Sequence, residues 1–204
     1  MTRSTRNQFV IACGLLLSIA APSFATDASI TPPPGIRGEV IANMMDAGDK
    51  IIELAGAVPA GKWAWRPGKG VRSMGEVYLH VVQGNYFLCT FLGAAPPMKM
   101  EELQQLDTTP QTPEKTVQML KDSYAFAGKT IAGLSDTELA AQVNFFGNMM
   151  TKQAIMLAAA AHSHEHLGQS IAYARMNRVV PPWTAREQAA AAKKAAEEQR
   201  GHSH

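Results

Sequence analysis

Cysteine is almost absent from this chain, with two in 204 residues, Cys13 and Cys89. Cys13 sits in an apolar stretch near the start, so Cys89 stands alone in the rest and no internal disulfide scaffold is expected. Cys89 lies within the apolar segment 86–92 and reads as a buried, inert thiol, with a nucleophile or extra metal ligand as the alternative. A membrane-length apolar run is missing as well. Phe9 to Ala21 carries no charge but falls short of the roughly 20 residues a spanning helix needs. The chain also lacks a surplus of one charge, with Lys+Arg 19 against Asp+Glu 17, a formal net charge of +2. Arg3 and Arg6 account for that difference, because residues 1–25 hold no acid. No basic surface is left to argue for nucleic acid.

The opening layout has a reading of its own. A basic start, the apolar run and the small residues Ser23 and Ala25 around Phe24 are the parts of a secretory signal peptide over residues 1–25. The chain is therefore expected to be periplasmic or secreted, with no stable membrane anchor after cleavage. Residues 26–35 form a Pro-rich linker ending in Pro32-Pro33-Pro34-Gly35.

From there helical signals dominate. Apolar residues from Val40 to Leu54 recur near helical spacing, which predicts a helix over 36–57. Val58-Pro59-Ala60-Gly61 stops it, and a loop with Trp63 and Trp65 follows, both read as packing residues at the end of a bundle. Ser73 with Glu76 three residues later predicts a capped helix to about Leu92. Residues 94–111 read as a loop. Thr112 before Pro113 starts a third helix, striped by Val117, Leu120, Tyr124, Ala127 and Ile131. Residues 134–139 read as a short turn and 143–150 as a weakly signalled hairpin bending at Gly147-Asn148. Thr151 caps a fourth helix to about Asn177, and Pro181-Pro182 breaks it. Residues 184–204, rich in Ala, Lys and Glu, read as an exposed helical or disordered tail. The expected class is all-α, a four-helix bundle over 36–183.

Histidine placement is the informative feature. Of the 6, His202 and His204 lie in the tail. His162 and His166 are four apart in the fourth helix, so they share one face about 5–6 Å apart at Cβ, and both can reach one ion. His164 points roughly to the other side. Two ligands make a poor site. His80, in the second helix, completes a three-histidine set if helices two and four are neighbours. Three protein ligands leave room for water or substrate. The string His164-Glu165-His166 is not the zinc-protease motif, and Glu165 reads as orienting a neighbouring helix or facing solvent rather than as a general base.

Several stretches together resemble the DinB/YfiT-like family of metalloenzymes. Trp63-Ala64-Trp65-Arg66-Pro67 is similar to its tryptophan–Arg-Pro loop. Residues 73–80, from Ser73 through Glu76 to His80, and residues 162–169, from His162 through His166 to Gln169, are similar to its two histidine segments. Arg175 and Pro181 fit its ending, with Leu167 and Asn177 standing where arginine and glycine are usual. The resemblance implies an up-down-down-up bundle and one divalent metal ion on His80, His162 and His166. Zinc or nickel is expected first, with iron or manganese as alternatives. Some relatives use cytosolic thiol cofactors, which an exported chain would not meet. The expected function is an exported metal-dependent enzyme, hydrolase or thiol-transferase-like, acting on an unidentified small molecule. The alternative is a noncatalytic metal- or ligand-binding protein of the cell envelope. Tyr78, Gly84, Asn85 and Gln169 are the candidate contacts to ligands or substrate, and a homodimer is the expected assembly.

Overall fold

A computed structural model describes residues 32–201. The proposed signal peptide, most of the Pro-rich linker, Cys13, His202 and His204 lie outside the described residues. Four long helices build the bundle: α1 (Ile36–Ala57), α2 (Met74–Leu92), α4 (Pro113–Ala132) and α6 (Lys152–Met176). Shorter pieces join them: α3 (Met100–Gln104), α5 (Asp136–Ala140) and a hairpin of β1 (Gln142–Phe145) and β2 (Asn148–Thr151). A last helix, α7 (Pro182–Gly201), follows, with its side chains exposed from Glu187 on; Arg186 ties its start to Glu53 of α1.

The helix starts follow local chemistry. Ser73 and Glu76 form a reciprocal capping box at α2, and Thr112 with Pro113 opens α4. Thr151 accepts from the Ala154 amide at α6. Because His80 lies two turns into α2, the Ser73 cap also helps to hold its position. Ser73→Ala is expected to lower stability by about 1 kcal/mol, read from the urea midpoint at unchanged m-value.

Packing fixes the order. α1 packs on α4 and α6, and α2 packs on the same two, so α1 and α2 sit diagonally across the core. Direction follows from the ends. The link from α1 to α2 is pinned at one end of the bundle, where the Trp63 indole donates to Val58 O at 3.1 Å and the Gly75 amide donates to Trp63 O at 2.9 Å. Lys152, first residue of α6, reaches Leu92 O, last residue of α2, at 2.9 Å, so those two helices are antiparallel. Residues 93–112 climb back along α2, and Arg72 holds Asp107 near the top at 2.8 Å. Arg37 at the start of α1 meets Leu134 O just past the end of α4. The order is up-down-down-up. The core is filled by Ile41, Met44, Ile51, Leu120, Ile131, Ile155 and Met156, each 1% exposed or less.

The return segment departs from the expected plain loop. It holds α3 and a 3₁₀ turn at Leu106–Thr108 because Leu103 (0% exposed) and Leu106 (6%) dock on α2. Two anchors in so short a piece leave no periodic pattern to read. Among the described residues, no helix is long and apolar enough to cross a membrane.

Candidate metal centre

His80 lies 12 residues before Leu92, and His162 and His166 lie 10 and 14 residues after Lys152. With Lys152 bonded to Leu92 in an antiparallel pair, equal rise along both helices brings the three to one level. Their rings form a triangle with centroid separations of 5.2 Å (His80–His162), 4.8 Å (His80–His166) and 4.4 Å (His162–His166). Each offers a ring nitrogen, and these nitrogens all lie within 4.8 Å of one another, a set able to hold a metal ion.

Hydrogen bonds decide which nitrogens are free. The Gln83 amide donates to Leu103 O (2.8 Å) and Gln104 O (3.0 Å), which turns its oxygen towards His80 Nδ1 at 3.1 Å. Nδ1 of His80 must then carry the proton, and Nε2 is a bare lone pair. The same logic holds at His166. The Gln169 amide donates to the Tyr173 hydroxyl (3.1 Å), so its oxygen accepts from His166 Nδ1 at 2.8 Å. A carboxylate supports the first ring as well, with Asp107 Oδ2 3.4 Å from His80 Nδ1. Partners of this kind orient ligand imidazoles and raise their basicity.

His162 is the unsatisfied member. Its Nε2 stands 3.4 Å from Nε2 of His80, while its buried Nδ1 has no partner. Two nitrogens on one tetrahedral ion at about 2.0–2.1 Å lie about 3.3 Å apart, close to the spacing seen. The ring backs onto Gly84. A Cβ there would overlap His162 Cε1 and lie 2.9 Å from Nδ1. Burial first, then His166, His80 and Arg72, push the pKa of His162 down to about 3. Burial, Arg72 and His166 lower His80 too, against Gln83 and Asp107. Both shifts favour the neutral ring that ligation requires.

The triad opens on a cavity of about 500 Å³ that His80, His162 and Gly84 help to line. Gly84 lies against the His162 ring and Gln169 bonds to His166, so both are beside the triad. Tyr78 and Asn85 are not. Both are buried; Tyr78 packs on Trp63 at 5.3 Å, and Asn85 donates to Ser123 at 3.1 Å. Neither lines the cavity or hydrogen-bonds to the three histidines. The reason is helical phase. At 100° per residue, positions two before and five after His80 turn towards the core, whereas Gln83, Gly84 and Phe87 share its face. Phase could have found Gln83; nothing local marks Asp107, which arrives on the return segment.

His164 is outside the triad, as its phase requires, with Nε2 3.0 Å from Asn43 Oδ1 on α1. Glu165 is exposed. Cys89 is buried, and burial lifts its thiol to about 12, fitting the inert reading. Asp107→Asn keeps shape and removes charge. Metal affinity is expected to fall about 10-fold, read by titration against a chelator. Unchanged affinity would show that Asp107 serves only Arg72 and the return segment.

The sequence matches the family model of the DinB superfamily over residues 46–170. A DinB-like protein from Bacillus cereus shares 15% identity, with 72% of this chain and 95% of that chain covered at a TM-score of 0.62. YfiT from Bacillus subtilis, described as a probable metal-dependent hydrolase with an unusual four-helix bundle topology, shares 14% identity, with 74% and 94% covered at a TM-score of 0.58. The DinB-like YjoA from Bacillus subtilis shares 15%, with 70% and 93% covered at 0.56. At such identities the likeness is one of fold. No curated protein matches the sequence.

Proposed function

This chain belongs to the DinB superfamily, and on that premise we propose that it is a metal-dependent hydrolase of a small molecule. One observation carries the reading: three ring nitrogens lie within 4.8 Å of one another, and two of their rings, His80 and His162, line a cavity large enough for a substrate. His80 and His166 each present Nε2, and His162 completes the set. A divalent ion bound there, zinc or nickel first, would supply Lewis acidity to a water or a carbonyl at its open position.

The chain's own groups do the rest. Gln83 and Asp107 fix the proton of His80 on Nδ1, and Gln169 does the same for His166, so both rings keep a lone pair aimed inward. Gly84 leaves the space that His162 occupies. The similarity to YfiT, itself described as a probable metal-dependent hydrolase, supports water as the second reactant. So does the proposed export, which keeps the chain from cytosolic thiols. A closed structural site would not face a cavity of this size.

The test is metal analysis of purified protein followed by a screen of neutral ester and amide substrates. One ion per chain and hydrolysis that a chelator stops and zinc or nickel restores are the expected results. Metal without turnover would favour the noncatalytic binding protein; no metal would overturn both.

A further inference from the structure

The cavity before the triad is more specific than a metal site needs. Its volume of about 500 Å³ falls within the range of pockets for small organic molecules. No Asp, Glu, Lys or Arg lines it. Its polar lining beyond the histidines is Gln83 and Gln104, and the Gln83 side chain is already committed to His80 and to two backbone carbonyls. Away from the histidines, a charged group would lose its hydration there with no protein counter-charge to replace it. Phe87 of α2, Leu103 of the return segment, and Phe145 and Phe146 of the hairpin supply apolar wall.

Phe146 adds an independent observation. It is 71% exposed, the most exposed large apolar residue among those described. Its φ is 50°, in the left-handed region, and Gly147 follows at 88°. Two-residue hairpin turns with both central residues at positive φ favour Asn-Gly, and a bulky first residue is strained there. The ring is held nonetheless, stacked on Phe87 at 5.8 Å with 28° between the planes, and edge-on to Phe145 at 4.7 Å. Strain of this sort concentrates where a side chain is needed in place. Here the strained turn carries an exposed ring that also lines the cavity.

We propose that the cavity binds a compound with an uncharged aromatic or short-chain apolar body, packed against Phe87 and Phe146 where they line the cavity, and with a donor group directed at the histidines. The donor end rests on the metal-site reading; the apolar wall stands without it.

Two measurements on the full chain separate these parts. The first follows binding of the neutral fluorophore N-phenyl-1-naphthylamine to metal-free protein. Wild type is expected to bind, and Phe146→Gly and Phe87→Ala each to weaken binding about 5-fold. Gly accepts the left-handed backbone, so Phe146→Gly keeps the fold. Absent binding, or binding that neither variant weakens, would overturn the proposal. The second compares benzohydroxamate with acetohydroxamate on zinc-loaded protein by calorimetry. The phenyl compound is expected to bind about 10-fold more tightly, with the ratio falling towards one in Phe146→Gly. Equal affinities in wild type would overturn the grip on the apolar end. A protein that takes up no zinc would sink the metal reading instead, and the fluorophore result would still decide the cavity.

Discussion

Alanine at His162 is expected to abolish stoichiometric metal binding while the bundle stays folded. The two halves of that outcome have separate causes. His162 is the ring whose buried Nδ1 has no protein partner and whose Nε2 stands 3.4 Å from that of His80. Without it only two imidazoles remain, and affinity should fall by more than the 10- to 100-fold that follows loss of a ligand's hydrogen-bond partner. The fold does not need the ring in the same way. Truncation leaves a small void, but it also removes an unsatisfied buried polar atom, so the metal-free stability should change by no more than about 1 kcal/mol. A ligand at 100 times its Kd stabilises by about 2.7 kcal/mol, which for a domain of this size raises Tm by about 5–10 °C. Wild type should show that rise on adding zinc or nickel, and His162→Ala should not. Equal metal content in the two proteins would remove His162 from the site.

Gly84→Ala should produce effects of opposite sign, and this makes it the sharper test. Inside a helix, alanine is favoured over glycine by about 1 kcal/mol. Here the new methyl would overlap the His162 ring, falling 2.9 Å from Nδ1 and 3.0 Å from Nε2. The imidazole must swing away, because the helix backbone cannot yield without losing hydrogen bonds. Metal affinity is expected to drop more than about 100-fold, beyond the usual effect of losing a ligand's partner. The metal-free protein should hold its stability or gain up to about 1 kcal/mol. Urea melts without metal and chelator competition with it read the two quantities apart. Unchanged affinity would mean that the ring relaxes within the site; a large loss of metal-free stability would place the clash in the core instead.

Much of the bundle was legible because its signals are local. Ser73 with Glu76, Thr112 with Pro113, and Thr151 each cap the helix expected of them. The stripe of α4 buries Leu120, Tyr124, Ala127 and Ile131 as its spacing requires. The return segment was not legible, since Leu103 and Leu106 are buried by what lies beneath them rather than by any repeat of their own. Tyr78 and Asn85, candidate contacts from the sequence, lie away from the triad. Helical phase sets them about 160° and 140° round α2 from His80, and both are buried.

The sequence by itself determined the four long helices, the pairing of His162 with His166 on one face and the exclusion of His164. Each follows from 3.6 residues per turn and from caps that act over three or four positions. Only the tertiary structure decided that α2 and α6 are antiparallel neighbours, with His80 level with the pair. It alone brought Asp107 to His80 across 27 residues and set Phe146 over the cavity. Those contacts join residues far apart in the chain, and their positions depend on how whole helix faces pack, which no local spacing records.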